Sequence, residues 1–415
     1  MRWPLVTLEK VSSRIRNGLS IKQTPGAGGL PITRIETISN ATIDPNRLGY
    51  AGINNGERSD WYLKPGEILF SHINSEERIG NCALYEGVPN PLVHGMNLLC
   101  LTPDESKITP KYLLYVLNTR QFRQSLKPII KRAVNQASVS IDNLKNIGIP
   151  LPPLSEQRRI VKILDQADAL RKKRAEADAK AARILPALFY KMFGDPATNP
   201  KGWEQKPFDD TFDDCTAKFP KLQQNAYQQV GQFPVIDQGK ELIAGYIDNE
   251  SLVTAVDQPV IVFGDHTRVV KLVDFAFVAG ADGSRVFMAK KGFIPAFLAC
   301  QLELQPIPNL GYSRHMREVR RLRFIAPPFE LQESFSNRVM DTRPLLRSQI
   351  SCNTCIDILY KCLLHRAFTG DLTAKWREAH MKELLAEMEQ QAKALEAPPT
   401  PAQRAGSSAA VNRGR

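Results

Sequence analysis

One short stretch of the sequence carries side chains that could cut a phosphodiester bond. Asp104, Glu105 and Lys107 are residue types found in metal-dependent nuclease sites. Such a site needs an Asp and a Glu-x-Lys on separate strands that converge on one ion, whereas neighbouring residues in a strand point to opposite faces. The three residues are therefore a poor match to a nuclease site.

A second stretch, residues 326–329, reads APPF and is similar to the loop by which amino-methyltransferases hold a flipped base. It lacks the leading Asn or Asp whose carbonyl would accept the target amino hydrogen, and the sequence has no convincing glycine-rich loop for a methyl donor. It also has no G-x-x-x-x-G-K-[ST] segment, the phosphate-binding loop of many ATPases. We expect no catalytic residue in this chain.

The cysteine and histidine residues show no metal-ligand spacing. Cys352 and Cys355 form a C-x-x-C pair, but a structural zinc ion needs four ligands and no second pair lies near in the sequence. We interpret this pair as helix packing and expect no metal site. Four histidines lie in apparent loops, where surface or DNA contact is a better interpretation than catalysis: His72, His94, His266 and His315.

The composition indicates a globular chain of two or three domains. Hydrophobic residues make up 43% of the 415 residues and charged residues 24%. The 55 Lys and Arg exceed the 43 Asp and Glu by 12 charges, and the pI is about 9.3; this excess favours nucleic acid as a partner but could also serve solubility alone. The sequence shows no membrane span or signal peptide, and its seven scattered cysteines are typical of reduced thiols, so we expect a cytoplasmic protein.

The chain repeats itself at an offset of 175 residues. Pro152 and Pro153 correspond to Pro327 and Pro328, and Gln157 corresponds to Gln332. In each copy the double proline is followed by some forty helix-friendly residues and a closing Gly-Asp. Each copy follows a segment with alternating strand and turn signals. We therefore predict an α+β chain of two mixed globules joined by two long helices that form an antiparallel, pseudo-twofold coiled coil. The predicted boundaries are 1–150 and 196–325 for the globules, 151–195 and 326–371 for the long helices, 372–396 for a charged helical extension and 397–415 for a disordered tail.

Apolar residues in the two long segments recur at alternating steps of three and four, the spacing of a coiled-coil seam. Arg174 and Gln349 lie at the middle of the two seams and would face each other in an antiparallel pair. Pro186 should bend the first helix near Leu185 or lie in the first turn of a new helix. The predicted seam positions are Ile160, Ile163, Leu170, Arg174, Ile184, Leu188, Phe335, Leu345, Gln349, Ile356, Leu359 and Leu363.

Two different globules at a fixed separation are suited to a DNA duplex that is recognised at two places, each through the major groove. The candidate DNA-binding residues are loop side chains that can contact base edges or phosphates. In the first globule they are Arg34, His72, Asn74, Arg78, Gln136 and Ser138, and in the second they are Gln238, Lys240, His266, Thr267, Arg268, Arg285, Arg314, His315 and Arg317.

The segments IPLPPLSEQRRIVKILDQADAL and FYKMFGDP, with a tryptophan at the opening of each globule, strongly resemble the specificity subunit of type I restriction-modification systems. GEILFSHINSEERIGNCALYEG and FPVIDQGKELIAGYID match the two target-recognition regions of that family. The resemblance covers residues 1 to about 371. The second helix segment, APPFELQESFSNRV, keeps Gln332 but lacks the Ser-Glu-Gln order.

The resemblance implies a non-catalytic subunit that binds a bipartite, asymmetric sequence in double-stranded DNA. It implies two modification subunits that methylate adenine with S-adenosylmethionine and two restriction subunits that use ATP and magnesium, so no cofactor is expected in this chain. Two alternatives remain open from the residues alone. One is a self-contained methyltransferase or endonuclease, and the other is a coiled-coil scaffold whose basic charge is incidental.

Overall fold

The computed structural model describes residues 3–23, 28–39, 41–133, 136–281, 283–311 and 314–396; for residue 39 and residues 343–354 it describes the backbone only. The predicted disordered tail therefore lies outside the described residues. The chain divides into two compact units. Unit 1 comprises Met1–Arg171 and Ile356–Arg415, and unit 2 comprises Lys172–Cys355. Both units combine β-sheets with helices, as predicted for the α+β class.

Unit 1 is built on a four-stranded antiparallel sheet in which one of the two central strands is wholly buried. Ile68, Leu69 and Phe70 have no exposed surface, because both faces of their strand are covered. The strands are Leu5–Thr7 (β1), Ser12–Asn17 (β2), Pro31–Ile32 (β3), Ile38–Ser39 (β4), Thr42–Ile43 (β5), Gly49–Tyr50 (β6), Ile68–Phe70 (β7), Ile73–Asn74 (β8), Cys82–Leu84 (β9), Leu99–Pro103 (β10), Lys131–Ala133 (β11), Gln136–Ser138 (β12) and Gly148–Pro150 (β13). The short helices are Leu8–Val11 (α1), Pro110–Leu117 (α2), Arg120–Leu126 (α3) and Ile141–Lys145 (α4), with 3-10 turns at Ile35–Thr37, Pro45–Arg47, Ser59–Trp61, Glu76–Arg78 and Lys127–Ile129.

The long helices each contribute residues to both units. The first is α5 (Leu154–Ala181), and α6 (Ile184–Phe193) follows after a two-residue break. Pro186 therefore lies in the first turn of a new helix, where its missing N–H costs nothing, which confirms the second of the two predicted alternatives.

Unit 2 has its own four-stranded antiparallel sheet, which again has a fully buried central strand. Its strands are Gln205–Pro207 (β14), Phe212–Asp214 (β15), Lys221–Leu222 (β16), Phe233–Ile236 (β17), Gly245–Ile247 (β18), Val260–Gly264 (β19), Val270–Val273 (β20), Val278–Gly280 (β21), Ser284–Ala289 (β22) and Arg323–Ile325 (β23). Its short helices are Phe208–Thr211 (α7), Pro295–Leu304 (α8) and Met316–Val319 (α9), with 3-10 turns at Thr216–Lys218, Gln224–Ala226 and Glu250–Leu252.

The remaining helices follow β23. The second long helix is α10 (Phe329–Thr369), and α11 (Ala374–Ala379) and α12 (Met381–Glu396) come after it. Among the described residues, no helix combines the length and the apolar composition needed to cross a membrane.

The same framework is present in both units. The sheet order is β2-β10-β7-β9 in unit 1 and β15-β22-β19-β20 in unit 2, with antiparallel pairing throughout. A two-stranded sheet links the opening of each globule to its last strand, β1 with β13 and β14 with β23. The smaller sheets differ: unit 1 has β11-β12-β8, whereas unit 2 has β16-β21-β17-β18 with parallel pairs. A common framework thus carries different loops.

Inside each unit, segments of the two long helices pack together. In unit 1 the contacts also define their relative direction, which is antiparallel. The Arg171 guanidinium, near the end of the α5 segment in unit 1, contacts Asp357 and Tyr360 on α10. Glu156, near the beginning of α5, binds Arg377 on α11, which follows α10, so the two segments run in opposite directions. In unit 2, α6 packs on the beginning of α10 through aromatic contacts to Phe335.

The predicted seam register is only partly correct. Ile160 and Phe335 are buried, whereas three predicted seam residues are exposed: Leu170 (66%), Ile184 (54%) and Leu359 (59%). The buried positions include Leu164 and Phe189 instead, because the helices bury residues against their globules as well as against each other. Ile163, Arg174, Leu188, Ile356 and Leu363 are half-buried. The side chains of Leu345 and Gln349 lie outside the described residues, so the Arg174–Gln349 pairing stays a prediction; Arg174 instead forms an ion pair with Asp178 at 3.1 Å.

The charged extension folds back on unit 1. Glu387 on α12 accepts hydrogen bonds from the backbone N–H and the hydroxyl of Ser155, at 3.2 and 2.9 Å. Leu384 is buried, and Leu395 packs on the core of unit 1. The amphipathic helix α12 therefore covers the first turn of α5.

Candidate nucleic-acid interface

In unit 1, a small sheet brings together two predicted DNA-binding segments that are far apart in the sequence. Strand β8, with Asn74, pairs with β12, so that Ala137 lies opposite Asn74 and Ser138 opposite Ile73. Gln136 is exposed at the start of β12. The three-stranded sheet therefore makes Asn74, Gln136 and Ser138 neighbours along the backbone, with Asn74 on the face of Ala137 and with Gln136 and Ser138 on the other face.

An ion pair links the hairpin of β11 and β12 to the turn that carries Arg78. Arg132 donates two hydrogen bonds to the Glu76 carboxylate, at 2.8 and 2.7 Å. This pair lowers the pKa of Glu76 through the hydrogen bonds from Arg132. Both side chains are solvent-exposed, so the pair contributes little to stability and mainly orients the hairpin relative to the turn. Lys131 on the same hairpin is also exposed.

A polar hollow of about 220 Å³ lies beside this sheet. Glu36, Asn74 and Arg78 all line this hollow. Because Arg34 pairs with Glu36 at 3.0 Å, Arg34 also lies near Asn74 and Arg78. Arg47 also lines the hollow, and it was not predicted because only the fold places it near Asn74 and Arg78. The lining residues are Ile35, Glu36, Ile38, Arg47, Ser71, Asn74, Arg78 and Asn81.

The predictions for His72 and His94 as surface or DNA-contacting residues are wrong. His72 is 7% exposed and His94 is fully buried. Burial lowers the pKa of His72 to about 4 and that of His94 to about 3, so both rings are neutral near pH 7. The Nε2 atom of His94 lies 2.8 Å from the Leu98 carbonyl. Both residues lie outside the named strands and are nevertheless buried, and the sequence alone did not distinguish such a position from an exposed loop.

In unit 2, three turns converge on Gln238. Its backbone carbonyl accepts a hydrogen bond from the Thr267 hydroxyl at 2.6 Å, and its side-chain Oε1 accepts one from the His266 backbone N–H at 3.2 Å. Gly283, just before β22, lies within van der Waals reach of both Gln238 and His266. The predicted residues Gln238, His266 and Thr267 therefore belong to a single site.

The prediction of His315 as a DNA contact is also wrong, because both of its ring nitrogens are used inside the protein. Its Nε2 accepts from the Leu310 N–H at 3.2 Å, which leaves Nδ1 as the donor to the Asp265 carbonyl at 2.7 Å. The buried Asp265 carboxylate accepts from the Met316 N–H and lies 3.7 Å from Arg285 Nε. His315 thus ties the turn after β19 to the segment before α9.

The other predicted cations of unit 2 differ in what they contact. Arg268 donates to the Ile307 carbonyl at 2.9 Å and adopts a left-handed backbone with φ of 62°. Arg317 is exposed and pairs with the neighbouring Glu318 at 3.2 Å. Lys240 and Arg314 are exposed as well. Exposed cations of this kind are suited to phosphate contacts.

The structure gives the residues of the considered nuclease site an ordinary structural role. Lys107 pairs with Asp104 at 2.8 Å, and Asp104 also accepts from the Ser106 hydroxyl and N–H, which lowers the pKa of its carboxyl group despite partial burial. Within the described part of the chain, no three His, Cys, Asp or Glu residues are grouped so that they could hold a metal ion.

Comparison with known proteins finds similarity in sequence for less than half of the chain. Residues 3–178 match the family model of the type I restriction modification DNA specificity domain. Over 169 residues, 40% of each protein, the chain is 51% identical to the MjaX type I restriction enzyme specificity subunit of Methanocaldococcus jannaschii. Over 193 residues it is 25% identical to the EcoKI specificity subunit of Escherichia coli, covering 45% of this chain and 42% of the relative. The aligned parts thus span less than half of these relatives.

The fold as a whole has a counterpart among solved structures. The S subunit of a type I restriction-modification system from M. genitalium superposes with a TM-score of 0.58 and 14% identity, over 89% of this chain and 96% of that chain. At this identity the match concerns the fold, and it confirms the predicted architecture of mixed globules and long helices. The family resemblance predicted from the sequence is confirmed over residues 3–178, whereas the later part of the predicted range, up to about residue 371, is matched in fold alone.

Proposed function

We propose that this chain, a member of the specificity-subunit family of type I restriction-modification systems, is the non-catalytic subunit that selects the DNA sequence. Unit 1 binds one half-site and unit 2 binds the other. The observation that carries this proposal is that one sheet framework occurs twice with different loops on it. Two copies of a framework with dissimilar loops are suited to a sequence in two dissimilar parts.

The binding surface of unit 1 is the sheet β11-β12-β8 with the neighbouring polar hollow. Gln136 and Arg78 contribute side chains that can recognise base edges, and Lys131 contributes a cation for the phosphate backbone. In unit 2 the surface is the group of turns around Gln238, with the exposed Lys240 two residues after Gln238. Arg314, in a separate segment of the same unit, is a further exposed cation. The net charge of +12 increases the attraction of the whole chain for DNA.

The partners in this proposal are two modification subunits and two restriction subunits, with DNA in the cytoplasm. The modification subunits bind S-adenosylmethionine and methylate adenine, and the restriction subunits use ATP and magnesium. This chain holds none of these cofactors itself. Its own contribution is to bind the DNA and to fix the length of the untouched spacer through α5, α6 and α10.

The proposal is tested by mapping adenine methylation in cells that express this chain with its modification subunit. We expect one interrupted sequence with two unlike halves. Methylation scattered over unrelated sequences would contradict the proposal.

The spacer function is tested by inserting a few residues near Ala179, an exposed position in α5. The spacer in the methylated sequence should change in length while both half-sites stay the same.

A further inference from the structure

We propose that Gln238 recognises a base edge in the half-site bound by unit 2, through a side-chain amide that is held in place before DNA binds. This inference rests on the proposed function and assigns one residue within the recognition surface. Three features carry it: the anchoring of the backbone around Gln238, the contacts of its amide, and the chemistry of a glutamine in a major groove.

The backbone on both sides of the Gln238 amide nitrogen is anchored by side chains from other strands and turns. The Asp237 carbonyl accepts a hydrogen bond from Lys271 Nζ at 2.7 Å, and the Gln238 carbonyl accepts one from the Thr267 hydroxyl at 2.6 Å. The Asp237 carboxylate in turn accepts from the Gly239 N–H at 2.8 Å. The ammonium group of Lys271 is committed to this contact, since its side chain is only 4% exposed. The turn that carries Gln238 is therefore fixed to the sheet beneath it.

The side chain of Gln238 is oriented by the turn after β19. Its Oε1 accepts from the His266 N–H, and two glycines leave the space that this arrangement needs. A Cβ on Gly283 would lie 2.6 Å from Gln238 Oε1, and a Cβ on Gly264 would lie 3.0 Å from Gln238 Cβ. Gly283 also has a φ of 86°, which favours glycine. The site is thus built around the amide.

A glutamine held in this way has the groups needed to recognise adenine. The amide offers a donor at Nε2, and Oε1 keeps a second lone pair after it accepts from His266. A donor and an acceptor together can bind N7 and N6 of adenine in the major groove. Gln238 is half-buried, so part of its surface remains accessible. Because the side chain is already ordered, less conformational entropy is lost on binding than with a freely rotating glutamine.

The test uses the full chain in complex with its modification subunits and DNA libraries randomised in one half-site at a time. We expect Gln238→Ala to lose about 5- to 150-fold of the preference for adenine at one position of the unit 2 half-site. Gln238→Glu, which keeps the shape but offers only acceptors, should shift that preference towards cytosine, whose N4 amino group is a donor. The other half-site should be selected as before.

The matched control is Gln224→Ala, a glutamine on an exposed 3-10 turn of the same unit, which should leave both half-sites unchanged. The inference is overturned if Gln238→Ala keeps the full base preference at every position, or if it weakens binding equally for all sequences. Loss of the thermal unfolding transition in both Gln238 variants would also overturn it, since the side chain would then act in folding. If the unsubstituted complex selects no two-part sequence at all, the proposed function itself is wrong.

Discussion

Gln157 and Gln332 make the same set of hydrogen bonds in the two units. Gln157 accepts from the N–H of Thr109 and donates to the carbonyls of Lys107 and Pro152. Gln332 accepts from the N–H of Ile294 and donates to the carbonyls of Gly292 and Pro327. Each glutamine therefore joins the double proline before a long helix to the first turn of a short helix in its globule, α2 or α8.

A second donor in unit 1 predicts that the loss of Gln157 destabilises the protein less than the loss of Gln332. In unit 1, Gln391 also donates to the carbonyls of Lys107 and Pro152, at 3.2 Å each, so those two acceptors keep a donor after Gln157→Ala. Gln332→Ala should lower the free energy of unfolding by about 1–3 kcal/mol more than Gln157→Ala does, because a buried polar group without a partner costs about that much.

Hydrogen–deuterium exchange measures both sites locally. The N–H groups of Thr109 and Ile294 each lose their acceptor, so the difference should appear in the helices that follow them. Protection should fall more in α8 after Gln332→Ala than in α2 after Gln157→Ala. In unit 1 the combined change of Gln157 and Gln391 to alanine should cost more than the sum of the two single changes. Equal loss of protection in the two single variants would show that Gln391 gives no support.

The buried ion pair between Glu156 and Arg377 should be sensitive to the loss of one partner. Glu156 Oε1 accepts from Arg377 at 2.9 Å and from the Thr373 hydroxyl at 2.6 Å, and Oε2 accepts from the Trp3 indole at 2.9 Å. Arg377→Met leaves a buried carboxylate uncompensated, so we expect unfolding to become easier by about 3–5 kcal/mol. Thermal unfolding measures the loss, and adding Glu156→Gln should recover part of it.

The free energy of unfolding should fall at acid pH because of the buried histidines. The pKa of His72 is lowered to about 4 by burial, whereas in the unfolded chain it is near 6.5. Between these values the unfolded state binds more protons, so stability is complete above about pH 6.5 and declines as the pH falls towards 4. His72→Gln cannot ionise and should show a smaller decline between pH 7 and pH 5 in urea unfolding. An unchanged pH profile would mean that His72 does not contribute to it.

Lys131 should contribute to DNA binding through the phosphate backbone. Lys131→Gln is expected to weaken binding about equally for all sequences and to reduce the slope of log K against log salt concentration by about one. Arg132→Gln is the matched comparison, since Arg132 is already neutralised by Glu76 and should change the slope less. Binding measured at several salt concentrations distinguishes the two variants. A change in base preference for Lys131→Gln would contradict a phosphate contact.

The sequence was most informative where one local pattern occurred twice. The double prolines with Gln157 and Gln332 predicted equivalent helix beginnings, and their hydrogen bonds are equivalent. Pro186 predicted a helix interruption because its effect on the backbone is local. These features do not depend on which residues pack beside them.

Predictions that depended on distant neighbours were less accurate. Exposed Leu170 and Leu359 follow a heptad spacing, but burial is decided by globule residues that the spacing does not contain. His315 and His266 lie in similar polar stretches, yet only the position of Asp265 makes His315 an internal link. The role of Gly283 beside Gln238 has no signal in the sequence, because it follows from contacts between separate turns.

The discontinuity of unit 1 has a consequence for the order of folding during synthesis. Unit 2 is one continuous stretch, Lys172–Cys355, whereas unit 1 needs residues from both sides of it. As the chain leaves the ribosome, Glu156 and Ser155 can form their hydrogen bonds to Arg377 and Glu387 only after α11 and α12 have been synthesised. The second unit can thus be finished first, although the ribosome makes most of the first unit earlier.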